Sequence, residues 1–217
     1  MKLATPLSPS IPLLYYETFL SRKPMTPYEN QQYQQLHRGF IGEVKLAKII
    51  ETSNYQQVIP LFDCLYERDG KEFQIDCLLI TASAIFLLEV KNYSDNYYME
   101  NNQLFNLQTK TEIYNPLSQL ERSELLLKRL LQTMKIELPV RSYVIFINDH
   151  FTLYGASTQL PIILPSQVNR FLQKINANAA PLTATSKQIS QRLTEKQKTF
   201  NKKIVELSHE LDIKTVI

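Results

Sequence analysis

The chain is short of glycine, histidine and cysteine and has no tryptophan. Each shortage removes a class of function. The four glycines, Gly39, Gly42, Gly70 and Gly155, cannot supply a glycine-rich phosphate loop. Neither G-x-x-x-x-G-K-[ST] nor G-x-G-x-x-G occurs, which excludes P-loop and dinucleotide-binding chemistry. Cys64 and Cys77 are too few for a disulfide framework or a structural zinc site. The three histidines are scattered, so no His/Cys metal cluster can be read from local spacing. Long apolar runs are missing too. The richest, Cys77 to Val90, is interrupted by Thr81, Ser83 and Glu89 and falls short of the roughly 20 residues of a spanning helix. Pro6, Pro9 and Pro12 break up the amino-terminal segment, which lacks the apolar stretch of a signal peptide. These features predict a cytoplasmic protein with reduced thiols and no membrane contact.

What is present is an ordinary globular composition. Of 217 residues, 44% are hydrophobic and 21% charged, enough to bury a core without staples. The net charge of +3 permits a nucleic-acid partner without arguing for one.

The spacing predicts a proline-rich arm over 1–26 with a short helix from Leu13 to Leu20. A main domain follows over 27–178, and a helical extension over 179–217. Thr26-Pro27 reads as a cap and first position of a long helix reaching about Glu51. Its apolar stripe runs through Leu36, Phe40, Val44, Ala47 and Ile50. Three strands come next: Val58–Tyr66, Glu72–Ile80 and Ala84–Lys91. The first two are joined by a turn containing Asp69-Gly70, and a short turn at 81–83 leads to the third. If the Asp-Gly turn is regular, Cys64 and Cys77 share one face of the hairpin. Residues 92–114 read as a loop with one or two edge strands. Asn115-Pro116 opens a helix that stops before Pro139, Val140–Ile147 is a further strand, and Pro165 starts a short helix. A polar helix from Ser186 to Leu211 carries Lys187, Arg192, Lys196, Lys198, Lys202 and Lys203. This order suits an α/β (α+β) fold, with a central mixed β-sheet holding an antiparallel meander, flanked by helices and followed by a C-terminal helix.

The chemistry concentrates in two strands. Asp76 stands alone in an apolar strand, where an acid is costly without a purpose. Glu89 and Lys91, two apart, point to one face of theirs. An even turn or a bulge would set Asp76 opposite Glu89, whereas an odd regular turn would part them. Two facing carboxylates make a hard-oxygen site for Mg²⁺ or Mn²⁺. A lysine beside them can orient or deprotonate water and stabilise charge on a phosphate. Glu-x-Lys alone also occurs as a plain surface ion pair. In the first long helix Gly39 and Gly42 share a face and would let another backbone approach, and Glu43 offers a third acid. Gln119 falls in the first turn of its helix, where free N–H groups favour phosphate.

Together Gly39-x-x-Gly42-Glu43, Ile75-Asp76-x-Leu78-Leu79-Ile80, Glu89-Val90-Lys91-Asn92 and Asn115-Pro116-x-x-Gln119 resemble the nuclease-related domain family of the PD-(D/E)xK nucleases. The resemblance implies a restriction-endonuclease-like fold, DNA as partner and Mg²⁺- or Mn²⁺-dependent phosphodiester hydrolysis, with no small-molecule cofactor. It implies Asp76, Glu89 and the Val90 carbonyl as metal ligands and Lys91 as the catalytic lysine. Glu43 and Gln119 would be accessory residues. Gln74 departs from the family, where an acid commonly precedes Ile-Asp. Two other classes stay open: a non-catalytic nucleic-acid-binding module on the same fold, and an interaction protein that forms a homo-oligomer through the C-terminal helix.

Overall fold

A computed structural model describes residues 7–20, 24–68 and 70–198. Helix α1 (Ile11–Leu20) precedes α2 (Pro27–Thr52). Thr26 caps α2 reciprocally: its Oγ1 accepts from the Glu29 N–H at 3.2 Å, and the Glu29 carboxylate accepts from the Thr26 N–H at 2.8 Å. Strands β1 (Ile59–Arg68), β2 (Lys71–Ile80) and β3 (Ile85–Lys91) form the meander. Arg68 pairs with Lys71, so the strands run right up to the two-residue connection. Gly70 there has φ +71°.

Residues 92–114 correct the expectation of a loop with edge strands. They form β4 (Asn96–Glu100), β5 (Gln103–Asn106) and β6 (Glu112–Ile113). With β8 (Thr152–Tyr154) these make a second, four-stranded sheet in the order β6-β5-β4-β8. Asn101 and Asn102 both adopt positive φ between the paired Glu100 and Gln103, the backbone of a two-residue hairpin turn. The alternation is weak because Tyr97 and Leu104 are the only wholly buried side chains of β4 and β5.

Helix α3 (Pro116–Thr133), capped by Asn115, carries the chain to β7 (Val140–Phe146), which pairs parallel with β3. Strand β9 (Ile162–Ile163) adds to β7, giving the main sheet the order β1-β2-β3-β7-β9. A 3₁₀ turn at Pro165–Gln167 leads into α4 (Val168–Asn178), and α5 (Ala184–Lys196) closes the described chain. Successive strand residues enter opposite cores. Leu78, Leu87 and Val144 meet Leu120, Leu127 and Leu130 of α3 and Ile189 and Leu193 of α5. Leu79, Leu88 and Ile145 meet Leu46 and Ile50 of α2 and Leu172 of α4. The fold is a mixed α/β architecture of two mixed sheets and flanking helices.

The alternation fails at one place. Leu61 and Cys64, three apart on β1, enter the same core, and so do Ile75 and Leu78 on β2. Asp63 lies between, at φ +48°, and the ladder passes from Phe62–Cys77 to Cys64–Ile75 without an Asp63–Asp76 pair. Cys64 therefore faces the α3/α5 core and Cys77 the α2/α4 core. This corrects the expectation of a shared face, which assumed an unbroken hairpin. Both thiols are buried and free.

The last helix is also shorter than its polarity suggested. Gln197 is extended, with ψ 140°, so α5 ends at Lys196; the remainder of the expected helix, 199–211, lies outside the described residues. The Lys198 N–H then donates to the Leu65 carbonyl at 2.9 Å, and its ammonium pairs with Glu67 and Glu72. That contact covers part of the edge strand β1. Lys202 and Lys203 lie outside the described residues, as does Asp69.

Candidate active site at the fork of two strands

The connection is 81–84, one residue longer than the expected turn at 81–83, because β3 starts at Ile85 rather than Ala84, and its number of residues is therefore even. It sets a register in which Cys77 opposes Leu88, so the next position brings Asp76 opposite Glu89. There the strands part. Beyond Glu89, β3 continues beside β7, while the outer half of β2 stays with β1. The Val90 N–H, left without a β2 partner, donates to Asp76 Oδ2 at 2.7 Å. Asp76 is thus fixed by the backbone of the strand it faces.

Glu89 is 2% exposed. Its Oε1 accepts from Lys91 Nζ at 2.8 Å, and Gln119 Oε1 accepts from the same ammonium at 3.0 Å. Lys91 is therefore held from β3 on one side and from the start of α3 on the other. The sequence offered Gln119 as a phosphate-positioning residue; the structure gives it a hold on the lysine. Glu43, from α2, lines the same cavity of about 350 Å³ as Asp76, Glu89 and Lys91.

The cavity holds a fourth acid that no sequence motif marks. Asp63 lines the cavity as well, and its Oδ1 accepts from Gln74 Nε2 at 2.7 Å. In sequence it sits in an unremarked strand position; only its left-handed backbone marks it, and a non-glycine residue held there costs on the order of 1 kcal/mol.

The crowding has electrostatic consequences. Burial pushes the Glu43 carboxyl up to about 7, with Asp63 and Glu89 adding to the rise and Lys91 opposing it. Burial also holds Asp76 well above the ordinary carboxylate range. Glu89 and Glu43 raise it further, while the Val90 N–H and Lys91 lower it. Asp63 is raised by burial against the Gln74 bond. For Lys91 burial works against the ammonium, but Glu89 outweighs it and the pKa rises.

Helix α2 comes close enough to present Glu43 because of Gly42. A Cβ at Gly42 would meet the Asn92 Cβ at 2.8 Å and Ile147 Cγ2 at 3.4 Å. Asn92 in turn donates to the Arg38 carbonyl at 2.8 Å and accepts from Asn148 Nδ2 at 2.9 Å. Gly39 meets nothing within 4 Å, so only one of the two glycines is a packing notch, and it fits a side chain rather than a backbone. Opposite outcomes are expected in thermal unfolding. Gly39→Ala should stabilise by about 0.5–1 kcal/mol, the helix propensity gained. Gly42→Ala should be destabilising, because overpacking of about 1–3 kcal/mol exceeds that gain.

Tyr93 and Tyr97 pack at 5.5 Å, and Tyr97 stacks on Phe151 at 5.4 Å. Asn148-Asp149-His150 is a turn, with the Phe151 N–H donating to the Asn148 carbonyl at 3.0 Å.

Comparison with known proteins decides the family. The family model described as Nuclease-related domain matches residues 38–147, half of the chain, and spans Glu43, Asp76, Glu89, Lys91 and Gln119. The chain belongs to the nuclease-related domain family. None of the curated proteins matches it in sequence. The crystal structure of protein VC1899 from Vibrio cholerae aligns over 66% of this chain and 35% of its own, at 10% identity and a TM-score of 0.36. This chain therefore spans about a third of that protein's length. Among the described residues, no helix of the nuclease-related domain protein is long and apolar enough to cross a membrane.

The donor set fits a hard cation of limited protein coordination. Among the described residues no three His, Cys, Asp or Glu side chains gather closely enough to hold an ion by themselves. Asp76, Glu89 and the Val90 carbonyl offer two carboxylates and one main-chain oxygen. Mg²⁺ typically takes one or two protein carboxylates and keeps several waters. The four carboxyl groups of the cavity also outnumber its one ammonium, and a divalent cation would favour the ionised forms that burial and mutual repulsion oppose.

Proposed function

We propose that this nuclease-related domain hydrolyses DNA phosphodiesters with a divalent cation, Mg²⁺ or Mn²⁺, held by Asp76, Glu89 and the Val90 carbonyl. The observation that carries the reading is the convergence of Asp76, Glu89 and Lys91 where β2 and β3 part. When bound, such a cation polarises phosphoryl oxygens and acidifies water.

The chain's own residues supply the rest. Lys91 places its ammonium between Glu89 and Gln119, where it acts as a donor to charge developing on the phosphate. Gln119 and Glu89 fix its Nζ from two sides, which removes the reorganisation a free lysine would need. Glu43 lines the same cavity and is placed to take up and return a proton there.

The test is cleavage of plasmid and of labelled oligodeoxynucleotides by the full chain with Mg²⁺ or Mn²⁺. Cleavage should stop with a chelator and in Glu89→Gln. Absence of cleavage on every DNA form, together with absence of cation binding by calorimetry, would sink the reading. Nucleic-acid binding unaffected by the chelator and by Glu89→Gln would instead identify a binding module.

A further inference from the structure

The walls of the cavity say which form of nucleic acid can reach its floor. Glu89 is 2% exposed and the Lys91 side chain 17%, so these groups touch only what enters. The described part of the amino-terminal arm forms one wall: Ser8 and Ser10 line the cavity, and Leu13 of α1, which is wholly buried, pins this segment. Helix α2 adds Gln32 and Gln35 beside them. At about 350 Å³ the space is at the lower end of sites for small ligands. It suits one nucleotide-sized group, not a groove that follows a double helix.

Charge points the same way. A groove along a duplex meets phosphates of both strands and calls for more Lys and Arg side chains than a single nucleotide entering a cavity. Among the described residues lining the cavity, Lys91 is the single Lys or Arg, and it is already bonded to Glu89 and Gln119. The rim instead offers neutral amides and hydroxyls. Such groups hydrogen-bond the edges of bases, and the pairing edges are free only on an unpaired strand.

We propose that the site takes an unpaired strand, a single-stranded segment or frayed end, with Gln32 and Gln35 contacting the entering nucleotide and the arm excluding a duplex. This rests on the nuclease reading above and narrows its substrate. The test uses the full chain with Ca²⁺ as the hard cation and follows fluorescence anisotropy of a labelled oligodeoxynucleotide, alone and annealed into a blunt duplex. The single strand should bind at least about tenfold more tightly than the duplex. Gln32→Ala combined with Gln35→Ala should weaken single-strand binding about three- to tenfold, the value of one or two hydrogen bonds. Leu13→Asp, which unpins the arm, should narrow the preference by strengthening duplex binding. Equal or tighter duplex binding by the wild type overturns the proposal, as does no binding of the single strand. A preference unchanged in Leu13→Asp overturns the exclusion assigned to the arm. Failure of the nuclease reading shows separately, as absent cation binding and absent cleavage. Cleavage of a blunt duplex at least as fast as of the single strand leaves that reading intact and overturns this one.

Discussion

Asp76→Asn is expected to make the nuclease-related domain more stable and inactive. The amide oxygen can still accept from the Val90 N–H, so the fork keeps its geometry. What goes is one of four carboxylates crowded into the cavity. Relief of that crowding should stabilise the metal-free protein by about 1 kcal/mol or more, roughly 3 °C in Tm, in the usual range for removing functional strain. Cation binding should be lost, and cleavage should fall by at least about a hundredfold. The pH dependence follows with its sign. Burial and like charges raise Asp76 and Glu43 in the folded protein, Glu43 to about 7. Groups raised in this way contribute stability below their unfolded pKa, near 4, and that stability is lost as pH rises through the folded values. With a chelator present, wild-type Tm should therefore fall between pH 5 and pH 8, and the fall should be shallower in Asp76→Asn. Mg²⁺ at pH 8 should restore the wild type and leave the variant unmoved. Calorimetric unfolding of both proteins with and without cation checks every step. A variant less stable than the wild type at pH 8 without cation would refute the crowding argument.

That trade between stability and charge also explains which parts of the site could be read from residues. The lone Asp76 in an apolar strand and the Glu-x-Lys two-residue spacing are period-two signals, and they need only a register to become a site. The even connection at 81–84 supplies it. Helix α2 was legible from Thr26-Pro27 because capping is local, but its apolar stripe was only half right: Ala47 and Ile50 are buried with Gly42 and Leu46, whereas Val44 is exposed. Asp63 was not legible. Its role depends on a backbone angle of +48°, and nothing in Leu61-Phe62-Asp63-Cys64 distinguishes a left-handed aspartate from one in a regular strand. The same break moved Cys64 and Cys77 into different cores. The second sheet hid behind Asn, Tyr and Gln, since its strands bury single residues such as Tyr97 and Leu104. Its turn uses Asn101-Asn102, where the usual signal ends in glycine. The early end of α5 is a tertiary effect. The polar sequence can continue a helix, but the Lys198 N–H finds the Leu65 carbonyl on the sheet edge instead.

Lys91→Met should also slow cleavage severely, yet with the opposite effect on stability. Met preserves much of the aliphatic packing and removes the ammonium. Glu89, 2% exposed, is then left without its ion-pair partner. Breaking one side of a buried pair costs about 3–5 kcal/mol, roughly 10 °C in Tm for a chain of this size. Loss of a donor aimed at developing charge should lower kcat by roughly 10²–10³. The two variants then separate what the residues do. In Asp76→Asn the surplus of negative charge shrinks, so the protein gains stability and loses its response to cation. In Lys91→Met the surplus grows, so the protein loses stability and its response to cation should exceed that of the wild type. Titrating Mg²⁺ against Tm for the three proteins at pH 7 gives the comparison directly. If Lys91→Met shows a smaller cation-dependent rise than the wild type, Glu89 is not part of the cation site, and the pairing with Lys91 is a structural ion pair.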